Sequence, residues 1–330
     1  MQILLFMVGI GLLVGGAWLL ILGGSRIAAV LKVPPVVVGL TVVAFGTSAP
    51  ELFVSVVGAI KGSTGLVLGN VIGSNVANLG LILGLAAALR PVAFEREMTR
   101  REIPLMLAAS VAFAALAWDG TVGRMDAILL FGGFLGFMAW TISNKDRGSI
   151  ITPAPDNLPE TDPDHRLREL SKGFGLVVAG VGGLAGGGHL IVSTAIVLAG
   201  NLGVSETMIG LTMVAVGTSL PELATTVMAA LRNEDDLALG NIVGSNLFNI
   251  LAVAGPVGIF RELKAEGSLA PVAGLPLGPT SIQAQLVGML FLTFMVYLMI
   301  MVGRGRIGRR RGLILLLTYG GIMAFYSAAN

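Results

Sequence analysis

Two stretches of fourteen residues, 39–52 and 210–223, lie 171 positions apart and agree at eleven of their positions. The first reads Gly39-Leu40-Thr41-Val42-Val43-Ala44-Phe45-Gly46-Thr47-Ser48-Ala49-Pro50-Glu51-Leu52. The second repeats its Gly-Thr-Ser and Pro-Glu-Leu elements around Thr218, Ser219, Pro221 and Glu222. Each copy sets one carboxylate, Glu51 or Glu222, inside a long apolar run, where a charge is costly and retained for function. A chain built this way must fold with two equivalent polar breaks inside paired hydrophobic segments. That pattern points to a binding site at the midplane of a membrane protein.

Composition agrees with a lipid environment. Hydrophobic residues make up 55% of the chain and charged ones 12%, whereas soluble domains carry about 25% charged residues. Several apolar runs reach the roughly 20 residues that cross a bilayer. The 47 glycines suit close helix packing and interrupted helices in lipid. No cysteine is present, which excludes disulfides, thiolate metal sites and thiol chemistry. Residues 1–22 form an apolar run with no basic segment before it, expected to stay as a first membrane helix rather than be cleaved.

Apolar runs between charged or Pro/Gly-rich breaks predict ten spans, near 3–23, 35–59, 65–89, 101–118, 125–143, 173–199, 206–230, 237–259, 283–302 and 312–328. The polar, proline-bearing segment 144–172 divides them into two groups of five and reads as a flexible cytoplasmic linker. The expected architecture is therefore an all-α polytopic membrane protein, with repeats over 1–143 and 173–330. With the N-terminus outside, 17 of the 21 Lys and Arg residues fall in inner loops. Only Lys61, Arg124, Arg261 and Lys264 fall outside, a clear positive-inside bias. Both termini are then extracytoplasmic. Because five is odd, the second group enters from the opposite side, so the repeat is inverted.

The prolines are expected to free backbone carbonyls as oxygen ligands, with Thr47, Ser48, Thr218 and Ser219 adding hydroxyls. The segment Gly69-Asn70-Val71-Ile72-Gly73-Ser74-Asn75-Val76-Ala77-Asn78 recurs from Gly240 to Asn249. Ser74 and Asn78 share a helical face, as do Ser245 and Asn249. The glycine pairs Gly69/Gly73 and Gly240/Gly244 would let another helix approach closely. Simple kinking and interhelical hydrogen bonding account for the prolines and glycines, but not for the matched carboxylates. Two carboxylates, amide oxygens and hydroxyls form a hard oxygen set suited to Ca2+. Na+ can use the same oxygens, and a charge of −2 matches one Ca2+ or two Na+.

These paired motifs resemble the alpha repeats of sodium/calcium exchangers, in the prokaryotic branch of the calcium/cation antiporter superfamily. The resemblance covers nearly the whole chain. It implies an antiporter, not an enzyme, that exchanges Na+ for Ca2+ by alternating access in the plasma membrane of a prokaryote. It implies ion-binding side chains at Glu51 and Glu222, with Thr47, Ser48, Thr218, Ser219, Ser74, Asn78, Ser245 and Asn249 around them. The backbone carbonyls of Ala44 and Ala215 would join them. The first and sixth spans, with glycine runs at 9–16 and 182–188, would slide against the other eight. No cofactor, nucleic acid or obligate protein partner is implied; the lipid bilayer and the transported ions are the partners. Many members carry Asp where this chain has Asn249, which leaves ion number and proton or potassium coupling open. Cation/proton exchange is the nearest alternative, followed by an ion channel. An intramembrane hydrolase lacks any histidine or serine dyad spacing to support it.

Outside the motifs, His165 is expected to be solvated, and His189 to serve an interhelical hydrogen bond or pH sensitivity. Glu234-Asp235-Asp236 reads as a solvated helix N-terminus, and Arg309-Arg310-Arg311 as a topology signal near anionic lipid heads.

Overall fold

The computed structural model describes residues 2–143, 163–201, 215–265 and 281–327. These are mostly helical. Among them, five helices are long and apolar enough to cross a membrane: Gln2–Leu31, Thr64–Leu89, His165–Thr194 (within Pro163–Asn201), Asp235–Phe260 and Ile282–Val302. The pair Pro35–Thr47 and Ala49–Lys61 qualifies as a sixth if taken as one interrupted span. Large apolar side chains such as Ile3, Leu129, Phe260 and Leu317 are exposed, as on a surface solvated by lipid tails.

The chain divides into two compact units. One comprises Met1–Ser48 and Met138–Gly244, the other Ala49–Phe137 and Ser245–Asn330, so each draws on both halves of the sequence.

In the first unit, Gln2–Leu31 outruns the expected span. At 1.5 Å per residue its 30 residues reach about 45 Å. It stops where Lys32 turns to φ +55° ahead of Pro34 and Pro35. Pro163–Asn201 lies antiparallel against it. The helix begins at Pro163, so residues 163–172, expected as linker, are helical; residues 144–162 fall outside the described residues. Glycines seven apart on each partner, Gly9, Gly16 and Gly23 against Gly187, Gly180 and Gly173, form the seam. A Cβ at Gly16 would lie 2.6 Å from the Leu184 nitrogen, and one at Gly180 2.6 Å from the Leu20 nitrogen. Lipid tails are as apolar as leucine, so close backbone packing rather than hydrophobicity holds such helices together. The glycine runs therefore divide by face: Gly9, Gly16, Gly183 and Gly187 pack against the partner backbone, while Gly11, Gly15, Gly182 and Gly186 meet nothing within 4 Å among the described residues. At one end, Glu169 accepts Lys172 at 2.6 Å and pairs with Arg26 at 3.5 Å.

In the second unit, two short antiparallel ladders join loops far apart in sequence. Strand β1 (Val92–Ala93) pairs with β4 (Arg306–Ile307), and β2 (Thr121–Val122) with β3 (Leu263–Lys264). The helix Glu102–Leu116 separates β1 from β2. Gly312 of the helix Arg309–Ser327 packs on Gly84 and Ala88, and Gly255 on Phe131. Phe134 meets Phe248 edge to face at 5.8 Å.

Among the described residues π-helical turns interrupt helices at Gly39–Val43, Asn78–Ile82 and Phe248–Val253. Such turns shift side-chain register locally and are frequent at functional sites.

Candidate functional site

The first motif breaks at Ser48 and the second at Ser219. Their backbones are nearly identical, φ −86° and ψ 6° against φ −87° and ψ 3°. Both sit in the sparsely allowed bridge region. Pro50 and Pro221 then fall in the first turn of the helices Ala49–Lys61 and Leu220–Leu231. The expectation that the prolines themselves free backbone carbonyls is not met in this form. A first-turn proline loses no helical hydrogen bond, because that N–H has no partner in any case. Its rigid φ starts the second half of a broken span. The Ala44 carbonyl accepts the Ser48 N–H at 2.9 Å and the Thr47 hydroxyl at 3.3 Å.

In the first unit the break gathers a polar cluster. The Ser48 hydroxyl donates to Glu222 Oε1 at 2.8 Å, joining the two motifs across 174 residues of sequence. Thr47 donates to Asn241 Oδ1 at 2.9 Å, and Asn241 Nδ2 donates to Thr226 Oγ1 at 3.1 Å. Glu222 is 1% exposed. Its Oε2 and the Thr225 hydroxyl make no hydrogen bond among the described residues. Thr218 and Ser219 are buried in the same unit. For Ala215 the backbone alone is described, and residues 202–214, including the start of the second motif, lie outside the described residues.

In the second unit Glu51 is also 1% exposed. Asn70 Nδ2 donates to the Glu51 carbonyl at 3.1 Å and to Ser55 Oγ at 2.9 Å. Ser74 donates to the Asn70 carbonyl at 2.6 Å and accepts Asn249 Nδ2 at 2.9 Å. Asn78, Ser245 and Asn249 are buried, and the π turns begin at Asn78 and one residue before Asn249. The Oδ1 atoms of Asn75, Asn78 and Asn249 accept no hydrogen bond among the described residues. Leaving a buried oxygen unmatched costs about 1–3 kcal/mol. All three lie in the same unit as Glu51.

A Cβ at Gly240 would meet Gly39 and Val36 at 2.8–3.0 Å, and one at Gly244 would meet Leu40 at 2.8 Å. Gly69 and Gly73 meet nothing within 4 Å among the described residues. The residues that correspond to Gly39 and Leu40 in the second copy, Gly210 and Leu211, lie outside the described residues. His189 is exposed on its helix.

Four polar residues outside the expected set complete these clusters: Ser55, Asn70, Thr226 and Asn241. The sequence holds a signal for them. Ser55 and Thr226, like Asn70 and Asn241, are 171 positions apart. Each hydroxyl also lies four residues after its glutamate, one helical turn along the same face. Among the described residues no three His, Cys, Asp or Glu side chains cluster. Any cation bound here would therefore draw on amide, hydroxyl and backbone oxygens beside the carboxylates.

Comparison with known proteins adds identity to this geometry. The family model described as sodium/calcium exchanger protein matches residues 1–143 and 172–328. The inner membrane protein YrbG of Escherichia coli (strain K12) is 38% identical over 274 residues, covering 82% of each chain. The sodium/calcium exchanger MaX1 of Methanosarcina acetivorans is 33% identical over 298 residues, covering 81% of this chain and 85% of that one. Among solved structures, the sodium-calcium exchanger NCX_Mj soaked with 10 mM Na+ and zero Ca2+ superposes with a TM-score of 0.82. That match has 30% identity and covers 98% of both chains. The chain is a multi-pass integral membrane protein and belongs to the sodium/calcium exchanger protein family.

Proposed function

We propose that this protein is a secondary antiporter that exchanges Na+ for Ca2+ by alternating access. The observation that carries the reading is the doubled buried glutamate, each held beside serine, threonine and asparagine oxygens at a helix break. Two carboxylates balance one Ca2+ or two Na+, and that equality lets the ions compete. Glu51 and Glu222 would supply the charge, and the hydroxyl and amide oxygens of the motifs would replace water around the ion. Thr47, Ser48, Ser74, Asn78, Thr218, Ser219, Ser245 and Asn249 take that role, with the carbonyls of Ala44 and Ala215. The unmatched Oε2 of Glu222 and Oδ1 of Asn78 and Asn249 support it.

The same reading assigns ten spans in two inverted groups of five, residues 1–143 and 173–330, joined by 144–172 on the cytoplasmic side. Both termini lie outside, and the first and sixth spans slide against the other eight. The glycine seam between Gln2–Leu31 and Pro163–Asn201 suits two helices that travel together.

The test is radiolabelled Ca2+ uptake into sodium-loaded proteoliposomes, with external Na+ removed and the membrane potential clamped. Uptake driven by the Na+ gradient and lost in Glu51→Gln is the expected result. Uptake driven by a pH gradient alone would move the protein to cation/proton exchange.

A further inference from the structure

The β1–β4 ladder gathers a basic patch that no single segment forms. Residues 90–102 contribute four arginines and residues 303–311 five, against three glutamates and no lysine. The ladder pairs Val92 with Ile307 and Ala93 with Arg306, and the Phe94 N–H donates to the Gly305 carbonyl at 2.7 Å. The turn that enters β4 is tight. Arg304 and Gly305 take φ of +52° and +80°, and a Cβ at Gly305 would lie 3.0 Å from the Phe94 carbonyl. Glycine suits that conformation; an arginine there costs about 1–2 kcal/mol. Six of the arginines are exposed: Arg96, Arg100, Arg304, Arg306, Arg309 and Arg310. Arg101 is matched by Glu97 at 3.3 Å, and Arg311 is turned inward onto the carbonyls of Met299 and Arg306.

Immediately beside this patch the apolar side chains Leu89, Val302 and Leu313 are exposed. Guanidinium groups next to exposed hydrocarbon match the two ends of a phospholipid. We propose that the β1–β4 patch is a binding site for anionic phospholipid headgroups. A positive-inside charge bias needs only a count of charges in each loop. Here two loops about 200 residues apart are laced together by backbone pairing, so that the arginines of both are carried on one joined pair of segments. Arginine alone is used, and its planar fork grips phosphate oxygens in pairs, which lysine cannot do. A headgroup bridging both loops would also hold the hairpin-like join in place at the membrane surface.

The experiment uses the full chain purified in detergent, with phosphatidylglycerol or phosphatidylcholine added and retained lipid counted by native mass spectrometry. The wild type should retain phosphatidylglycerol in preference to phosphatidylcholine. Arg304→Gln/Arg306→Gln/Arg310→Gln should weaken that retention about tenfold or more, since each arginine near an anionic surface contributes measurably. Arg96→Gln/Arg100→Gln, from the other loop, should weaken it in the same direction. A triple Lys61→Gln/Arg124→Gln/Lys264→Gln removes the same number of charges elsewhere and should leave retention unchanged. Undiminished retention in either patch variant, or equal loss in the control triple, would overturn the proposal. Pyrophosphate is the final arm. If it stabilises the lipid-free protein against heat in a manner lost with the patch variants, while phosphatidylglycerol does not, the patch reads free phosphate instead.

Discussion

The two Gly-Asn helices start from nearly the same sequence and end in different surroundings. Their early asparagines behave as twins. Asn70 donates to Ser55 and Asn241 to Thr226, each tying its helix to the one that carries a glutamate. A repeat of sequence has become a repeat of hydrogen bonding. Their late asparagines part company: Asn249 donates to Ser74 at 2.9 Å, whereas neither amide atom of Asn78 has a hydrogen bond among the described residues. The twin bonds brace helix against helix and need the same geometry in both copies. The late pair sits on the π turns, where register is shifted and each amide meets its own neighbours. Duplication therefore preserves the bracing hydrogen bonds more faithfully than the positions proposed to bind ions.

The largest expected effect breaks the symmetry at the carboxylates. Removing one partner of a buried charge pair costs about 3–5 kcal/mol, which is roughly a hundredfold or more. Glu51→Gln and Glu222→Gln should each lower Ca2+ uptake by that much while keeping the elution profile and helical circular dichroism of the wild type. Full uptake in one variant alone would mean that the copies do not share the cargo.

A smaller effect tests the twin bonds. Asn70→Ala and Asn241→Ala each strand buried hydrogen-bond partners, at about 1–3 kcal/mol. Thermal melting in detergent should show both destabilised to a similar extent. If Asn241→Ala melts no lower than wild type while Asn70→Ala does, the likeness of the two braces fails.

The smallest effect sharpens the late pair. Asn249→Asp gives up the amide that donates to Ser74 and adds a carboxyl, which can take up a proton where an amide cannot. The variant should keep transport with a pH profile shifted from that of the wild type. Superimposable profiles would place this residue away from the ions. Asn78→Asp gives up no hydrogen bond seen among the described residues and should melt closer to wild type than Asn249→Asp. The reverse order of melting would show that the Asn249–Ser74 bond adds no stability.

Much was legible in the chain itself. Apolar runs predicted ten spans, and among the described residues five helices, or six with the interrupted pair, are long and apolar enough to cross a membrane; such runs are readable because the bilayer forces backbone groups to bond within a segment. The 171-residue offset singled out Glu51 and Glu222, and every candidate whose side chain is described is buried. The proline expectation erred by a few residues, since Ser48 and Ser219 take the break and the prolines only open the next helix. Ser55 and Thr226 went unnoticed because they lie outside the repeated motifs and match only in chemistry, while Asn70 and Asn241 lie inside a repeated segment but show their bracing role only once the helices have packed.

What the sequence determined by itself is the membrane class, the duplication and the family, since each rests on composition or on residues close together. What only the tertiary structure decided is which residues keep company. The helix breaks at Ser48, and Thr47 and Ser48 join Glu222, Thr226 and Asn241 in one unit. Glu51, three residues further on, joins Asn70, Ser74 and Asn249 in the other. Local patterns cannot foresee this, because the hydrogen bonds that sort them link side chains up to 194 residues apart. Those bonds exist only after the helices have packed.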